Sequence, residues 1–104
     1  MNKAVICNSL EEVRENIDRL DRQIVGFLAE RGGYVKQAAR FKKTTDDVKA
    51  PQRVEQVIAK VVALSVEMGA LPTVTEAVYR AMISAFINAE ITEHAALAGA
   101  GNRP

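Results

Sequence analysis

Residues 9–42, SLEEVRENIDRLDRQIVGFLAERGGYVKQAARFK, have the pattern of one long amphipathic helix. Ser9 followed three residues later by Glu12 forms a capping-box signal at its start. The pattern continues across Gly32 and Gly33, which indicates that the helix continues through them with close packing at that point. The apolar side chains recur every three or four residues, as on one helical face: Leu10, Val13, Ile17, Leu20, Ile24, Phe27, Tyr34, Ala38 and Phe41.

The predicted helix is too long for a single small domain to cover. It would contain about 34 residues, ending near Lys42, and would span about 50 Å at 1.5 Å per residue. A compact domain of 104 residues has a radius of gyration of only about 13 Å. We therefore expect an obligate dimer, in which a second copy of the chain covers the apolar face.

Two further helices are expected. Residues 43–50 are polar and aperiodic, which predicts a loop, and Pro51 fits the first turn of a second helix that ends at Met68 before Gly69. Pro72 opens the third. The predicted inner positions are Val54, Val57, Ile58, Val61 and Leu64 in the second helix, and Val78, Tyr79, Met82, Ile83, Ala85, Phe86, Ile87 and Ile91 in the third.

The sequence therefore predicts an all-α chain with three helices in one domain. We expect an N-terminal extension over residues 1–8, a helical domain over residues 9–97 and a disordered tail over residues 98–104, AGAGNRP.

Composition excludes several classes of protein. The net charge is +1, with 48% hydrophobic and 26% charged residues, so no broad basic field favours nucleic acid. No apolar run approaches the ~18 residues of a membrane span, and the N-terminus lacks the pattern of a signal peptide. Cys7 is the one cysteine, so no disulfide can form within the chain. We expect a cytoplasmic protein that binds neither nucleic acid nor membrane.

Four charged residues stand out as candidates for a site. Arg31 lies on the apolar face of the first helix, where its charge must reach water or meet an anion. Lys42 follows eleven residues later, about three turns and ~16 Å away, so both side chains can converge on one small ligand. Arg14 is ~25 Å from Arg31 along the axis and could serve that site only from a partner chain. Three cations around one pocket suit a ligand with two negative charges. The arginine guanidinium can also donate two parallel hydrogen bonds to one carboxylate.

Glu90 lies among apolar residues of the third helix. Its carboxyl is expected either to pair with Arg31 or Lys42 or to stay partly protonated through desolvation. His94 has no metal-ligand spacing around it, and no catalytic triad is visible, so we expect no metal and no cofactor.

These residues resemble a known family. The sequence is similar over about residues 9–93 to the all-α chorismate mutases and, among them, to the bacterial isochorismate pyruvate-lyases of salicylate and siderophore synthesis. The resemblance implies an intertwined homodimer of three-helix chains with two equivalent sites. The matching segments are LEEVR (10–14), IDRLD (17–21), IV (24–25), Leu28, Arg31, YVKQA (34–38), RFK (40–42) and APQRV (50–54).

The resemblance also implies roles for individual residues. Arg14 would reach from the partner chain to one substrate carboxylate, and Arg31 would bind the enolpyruvyl carboxylate. Lys42 and Glu90 would act at the ether oxygen of the bond that breaks. Arg53 would border the site, and apolar substrate contacts would come from Val35, Ala38, Ile83 and Ile87.

The implied chemistry is pericyclic and needs no nucleophile or general base. Positioning of the enolpyruvyl arm and positive charge at the ether oxygen would accelerate it. Mutases of the family carry Glu after the arginine that matches Arg53, where it binds the ring hydroxyl of chorismate. Val54 occupies that position here. An apolar residue leaves the hydroxyl without a partner, so we favour isochorismate lyase with weak mutase activity over a dedicated mutase.

Glu90 departs from the family, in which Gln usually donates a hydrogen bond to the ether oxygen. Only a protonated Glu can donate, so activity is expected to fall above neutral pH and Glu90→Gln to flatten that fall. Two other classes stay open: a non-catalytic dimer that binds dicarboxylates, and a structural coiled coil in which Arg31 simply reaches solvent.

Overall fold

The computed structural model describes residues 4–101, which form helices and no β-strand. Three of the helices are long and one is short. The all-α prediction is thus confirmed for the described residues, with a fourth helix that was not expected. The helices are α1 (Leu10–Ala39), α2 (Thr45–Lys49), α3 (Pro51–Met68) and α4 (Pro72–Gly101).

The start of α1 follows its capping signal, but its end comes earlier than predicted. The Ser9 side chain accepts a hydrogen bond from the Glu12 amide at 3.1 Å. At the other end the helix stops at Ala39 rather than near Lys42. The amides of Phe41 and Lys42 donate to carbonyls three residues back, at 3.0 and 3.2 Å. This tighter turn ends the α-helix and places Lys42 just beyond it.

Close packing occurs at one of the two central glycines of α1. A Cβ atom built on Gly32 would lie 3.0 Å from Phe86 Cε1 on α4, whereas one built on Gly33 would meet nothing within 4 Å. The predicted close approach is therefore confirmed at Gly32. The absence of a side chain there lets the Phe86 ring lie against the α1 backbone.

The prediction of a loop over residues 43–50 is wrong, because α2 forms within it. The Thr44 hydroxyl accepts from the Asp47 amide at 3.1 Å, and Asp47 Oδ2 accepts from the amides of Lys43 and Thr44 at 3.0 and 3.2 Å. These two backbone donors hold the pKa of the Asp47 carboxyl below its usual value. The capping box stabilises a turn too short to show periodicity, and Val48 on it is only 2% exposed.

The bounds of α3 agree with prediction. Pro51 occupies the first turn, and Gly69 ends the helix in the left-handed conformation with φ 75°. Ala50 is also left-handed, with φ 36° and ψ 60°, and is the single residue between α2 and α3.

One predicted inner residue of α3 is wrong. Ile58 and Val61 are buried as expected, but Leu64 is 44% exposed. Ser65 is buried instead, and its hydroxyl shares a 2.8 Å hydrogen bond with Thr75 of α4. That bond satisfies a polar group at the α3–α4 contact, so Ser65 rather than Leu64 lies on the buried face.

Helix α4 packs against each of the other three helices. Ile83 is buried and Ile87 is partly buried, whereas the predicted inner residues Val78 and Ala85 are exposed. These corrections share a cause, since a helix turns only one stripe toward its neighbours within the same chain.

Helix α4 continues through residues 98–101 of the stretch expected to be disordered, and residues 102–104 lie outside the described part. Of the expected N-terminal extension, residues 4–8 precede α1 and residues 1–3 lie outside the described part.

The molecule is elongated, with extents of 65 × 27 × 16 Å and a radius of gyration of 17.8 Å, well above the ~13 Å of a compact domain this size. No residue of α1 is buried. Its apolar stripe faces solvent in the single chain, with Ile17 50% and Ile24 54% exposed. Within residues 4–101, no helix is both long and apolar enough to cross a membrane.

Candidate active site

A cavity of about 340 Å³ lies where the C-terminal part of α1, helix α2 and the start of α3 meet α4. This volume lies within the range of small-molecule sites. Every site residue predicted from the sequence lines it except Arg14. The lining residues are Arg31, Tyr34, Val35, Ala38, Lys42, Val48, Lys49, Ala50, Arg53, Val54, Val57, Ile83, Phe86, Ile87 and Glu90.

The charges around the cavity are strongly unbalanced. Among the described residues that line it, four are basic, namely Arg31, Lys42, Lys49 and Arg53, and one is acidic, namely Glu90. The whole chain carries a net charge of only +1, so this excess of positive charge is local. Such a pocket attracts a small anion, and its surplus suits two carboxylates.

Glu90 pairs with Lys42 and not with Arg31. The Lys42 ammonium donates to Glu90 Oε2 at 3.1 Å and to Oε1 at 3.3 Å. The Glu90 side chain is 5% exposed and that of Lys42 is 26% exposed, so the pair is held largely away from water. Of the two alternatives left open by the sequence, the structure therefore shows pairing, and the partner is Lys42.

Arg31 has no anionic partner among the described residues. Its guanidinium carbon lies 5.8 Å from the ring centroid of Phe86 and 6.0 Å from that of Tyr79, both on α4. Ring faces stabilise a cation without using its N–H donors. The guanidinium of Arg31 is therefore charged, partly buried and able to bind a carboxylate supplied from outside the chain.

Arg14 is exposed and does not line the cavity. It lies seventeen residues before Arg31 on the same continuous helix, about 25 Å away along the axis. A single chain therefore leaves Arg14 outside its own site.

The apolar walls come from all four helices. Val35 and Ala38 contribute from α1, while Ile83 and Ile87 contribute from α4. Val54, next to Arg53 on α3, adds a further apolar surface. The cavity thus combines apolar walls, which suit the faces of a ring, with charged groups that would orient a ligand.

Sequence reasoning missed several lining residues. The polar, aperiodic stretch that contains Val48 and Lys49 predicts a loop, but Thr44 and Asp47 have the spacing of a capping box, which is the available signal for the helix that carries them. Phe86 was placed in the core but not in the site. Its position three residues after Ile83 and one before Ile87 puts it on the same face of α4, and this spacing was the available signal.

The arrangement favours binding and charge stabilisation. Among the described residues there is no group of three or more His, Cys, Asp or Glu side chains that could hold a metal ion. Among the described residues, the cavity offers two guanidinium groups without an anionic partner, those of Arg31 and Arg53, together with the Lys42–Glu90 pair and apolar walls. These groups can fix a small dianion and place positive charge beside an oxygen that gains electron density.

Comparison with known proteins is consistent with this site. Residues 13–91 match the family model described as chorismate mutase type II. The chain is 34% identical over 85 residues to a Pseudomonas aeruginosa protein named isochorismate pyruvate lyase, and the alignment covers 82% of this chain and 84% of the relative. The matched region contains every residue that lines the cavity. The chain therefore belongs to the chorismate mutase type II family.

Proposed function

We propose that this protein is an isochorismate pyruvate-lyase that converts isochorismate to salicylate and pyruvate, with weak chorismate mutase activity. The observation that carries the proposal is the Arg31 guanidinium, which has no anionic partner among the described residues and lines the same cavity as the Lys42–Glu90 pair. A purely structural ion pair would not need further cations without an anionic partner beside it. The similarity to the P. aeruginosa enzyme supports the choice of reaction.

In the proposed mechanism, Arg31 binds the enolpyruvyl carboxylate and holds the arm over the ring. The ether C–O bond breaks while a ring hydrogen moves to the enolpyruvyl methylene carbon, so that pyruvate leaves and the ring becomes aromatic. Lys42 donates to the ether oxygen as its electron density rises. Glu90, protonated in the complex, donates to the same oxygen once Lys42 has turned toward the substrate.

Val54 supports lyase over dedicated mutase. It lines the cavity with an apolar side chain, where the mutase reaction would need a partner for the ring hydroxyl of chorismate. A buried hydroxyl without a partner costs about 1–3 kcal/mol. Isochorismate carries its hydroxyl elsewhere on the ring, so it avoids this loss.

The test is to supply isochorismate and chorismate separately to the purified protein and to follow salicylate, pyruvate and prephenate. We expect salicylate and pyruvate in equal amounts from isochorismate, at a much higher rate than prephenate from chorismate. Faster prephenate formation would make the protein a dedicated mutase. If neither product forms but the substrates bind, the protein is a non-catalytic binder of dicarboxylates.

The active form is proposed to be an intertwined homodimer. The exposed apolar stripe of α1 supports this, since burial of such surface stabilises by about 25 cal/mol per Å². In the dimer the partner subunit's Arg14 would bind the second substrate carboxylate. Ile17→Asp should halve the mass measured by sedimentation and abolish turnover, whereas Glu11→Gln, on an exposed position of the same helix, should change neither. A wild-type chain that sediments as a monomer would exclude the dimer.

A cytoplasmic location is part of the same proposal. It rests on the single cysteine, which leaves the chain without an internal disulfide.

A further inference from the structure

Two aromatic rings of α4 lie beside the guanidinium of Arg31, which has no hydrogen-bonding partner among the described residues. Phe86 and Tyr79 are seven residues apart, about two turns, and therefore lie on the same face of the helix. Their ring centroids are 5.8 and 6.0 Å from the guanidinium carbon of Arg31, within the ~6 Å range of cation–π interactions.

The two rings differ in their relation to the cavity. Phe86 lines it, whereas Tyr79 is partly buried and is not part of the lining. Phe86 also packs closely against α1, because a Cβ atom built on Gly32 would lie only 3.0 Å from its ring edge. The residue next to Arg31 in sequence thus determines where one of the two rings can lie.

Aromatic neighbours leave the N–H donors of Arg31 free, which an acidic neighbour would not do. A carboxylate would orient Arg31 by occupying its N–H donors and neutralising its charge. The π face of a ring attracts the cation through its quadrupole and leaves the donors free. Lys42 in the same cavity has the acidic kind of neighbour, since its ammonium is already bound to the Glu90 carboxyl group.

We infer that Tyr79 and Phe86 are positioning residues that orient the Arg31 guanidinium toward the substrate carboxylate. The inference rests on the proposed function for its role in turnover. The aromatic contacts themselves can be tested without substrate.

The kinetic test compares Tyr79→Leu with Tyr79→Phe, each in the wild-type and Arg31→Met backgrounds. In the wild-type background we expect Tyr79→Leu to raise KM about 3- to 10-fold with a smaller change in kcat, and Tyr79→Phe to retain wild-type values because the ring remains. In the Arg31→Met background Tyr79→Leu should add no further loss. Equal losses in both backgrounds, or a Tyr79→Phe variant as impaired as Tyr79→Leu, would overturn the inference.

The second measurement does not depend on activity. In ¹⁵N-labelled protein the Arg31 Nε–H signal should lie upfield of that of the exposed Arg14, because ring currents shield protons above an aromatic face. Tyr79→Leu and Phe86→Leu should each move the signal back toward that of Arg14. Coincident signals in the wild-type protein would exclude the aromatic contact. An upfield signal in a protein with no turnover would refute the proposed function and leave the contact intact.

Discussion

The Lys42 ammonium donates to both oxygens of Glu90 across the cavity, at 3.1 and 3.3 Å, and joins the segment after α1 to helix α4. The two residues are 48 positions apart in sequence. The pair thus connects two elements that the sequence keeps far apart, and replacing either residue changes the charge of the cavity that both residues line.

The first prediction concerns Glu90→Gln. A neutral amide donates to the ether oxygen at any pH, whereas a carboxyl group donates only when protonated. We therefore expect the kcat of Glu90→Gln to equal or exceed that of the wild-type enzyme, and Glu90→Ala, which has no donor, to lose about 10-fold or more. The measurement is kcat for salicylate formation by the three proteins at one pH. A Glu90→Ala variant as active as Glu90→Gln would refute the role of Glu90 as a donor.

The second prediction concerns Lys42→Ala. Removal of the ammonium takes positive charge from the ether oxygen, and a loss of about 100-fold or more in kcat is expected, while substrate binding stays measurable by calorimetry. The variant should also unfold at a lower temperature, because Glu90 is left buried without its partner. The double variant Lys42→Ala with Glu90→Gln is the control. It should recover thermal stability but not turnover, and near wild-type turnover in either variant would contradict the assignment.

The third prediction compares two adjacent glycines. Alanine favours a helix over glycine by about 1 kcal/mol, so Gly33→Ala should raise the free energy of unfolding by up to that amount. Gly32→Ala gains the same helix propensity but forces the Phe86 ring to move. We expect Gly32→Ala to be less stable than Gly33→Ala in thermal unfolding and to raise KM. Indistinguishable variants would show that the close approach has no energetic consequence.

The fourth prediction concerns the capping box of α2. The Lys43 and Thr44 amides lower the pKa of Asp47 in the folded chain, so the ionised carboxylate stabilises α2. That contribution is present above the unfolded pKa of about 3.9 and is lost as pH falls through the lower folded value. Asp47→Asn should weaken the cap at neutral pH and increase amide hydrogen exchange over residues 45–49. Asp46→Asn, an adjacent exposed position, is the matched control and should leave exchange unchanged.

Much of the fold follows from local signals in the sequence. The start of α1 and both ends of α3 were predictable because Ser9, Pro51 and Gly69 act on their own backbone neighbours. Helix α2 was missed because five residues are too few to display a period, although its cap was visible at Thr44 and Asp47.

The sequence identified the residues of the site, but it did not determine which of the charged residues pair with each other. Arg31 and Lys42 stood out because each places a charge where a helix should be apolar. Whether Glu90 would pair with one or the other depends on how α1 and α4 cross, which is set by contacts between residues distant in sequence. The exposure of Leu64 and Val78 has a similar origin, since periodicity identifies an apolar face without saying which surface covers it.

Ala50 serves as the C-cap of α2 and the N-cap of α3, with no other residue between them. Its left-handed backbone aims α2 so that Val48 and Lys49 reach the cavity. One inserted or deleted residue at this joint would rotate α2 by about 100° relative to α3 and swing both side chains away. The segment from α1 to α3 therefore tolerates neither the insertion nor the deletion of a residue at Ala50, unlike an ordinary surface loop.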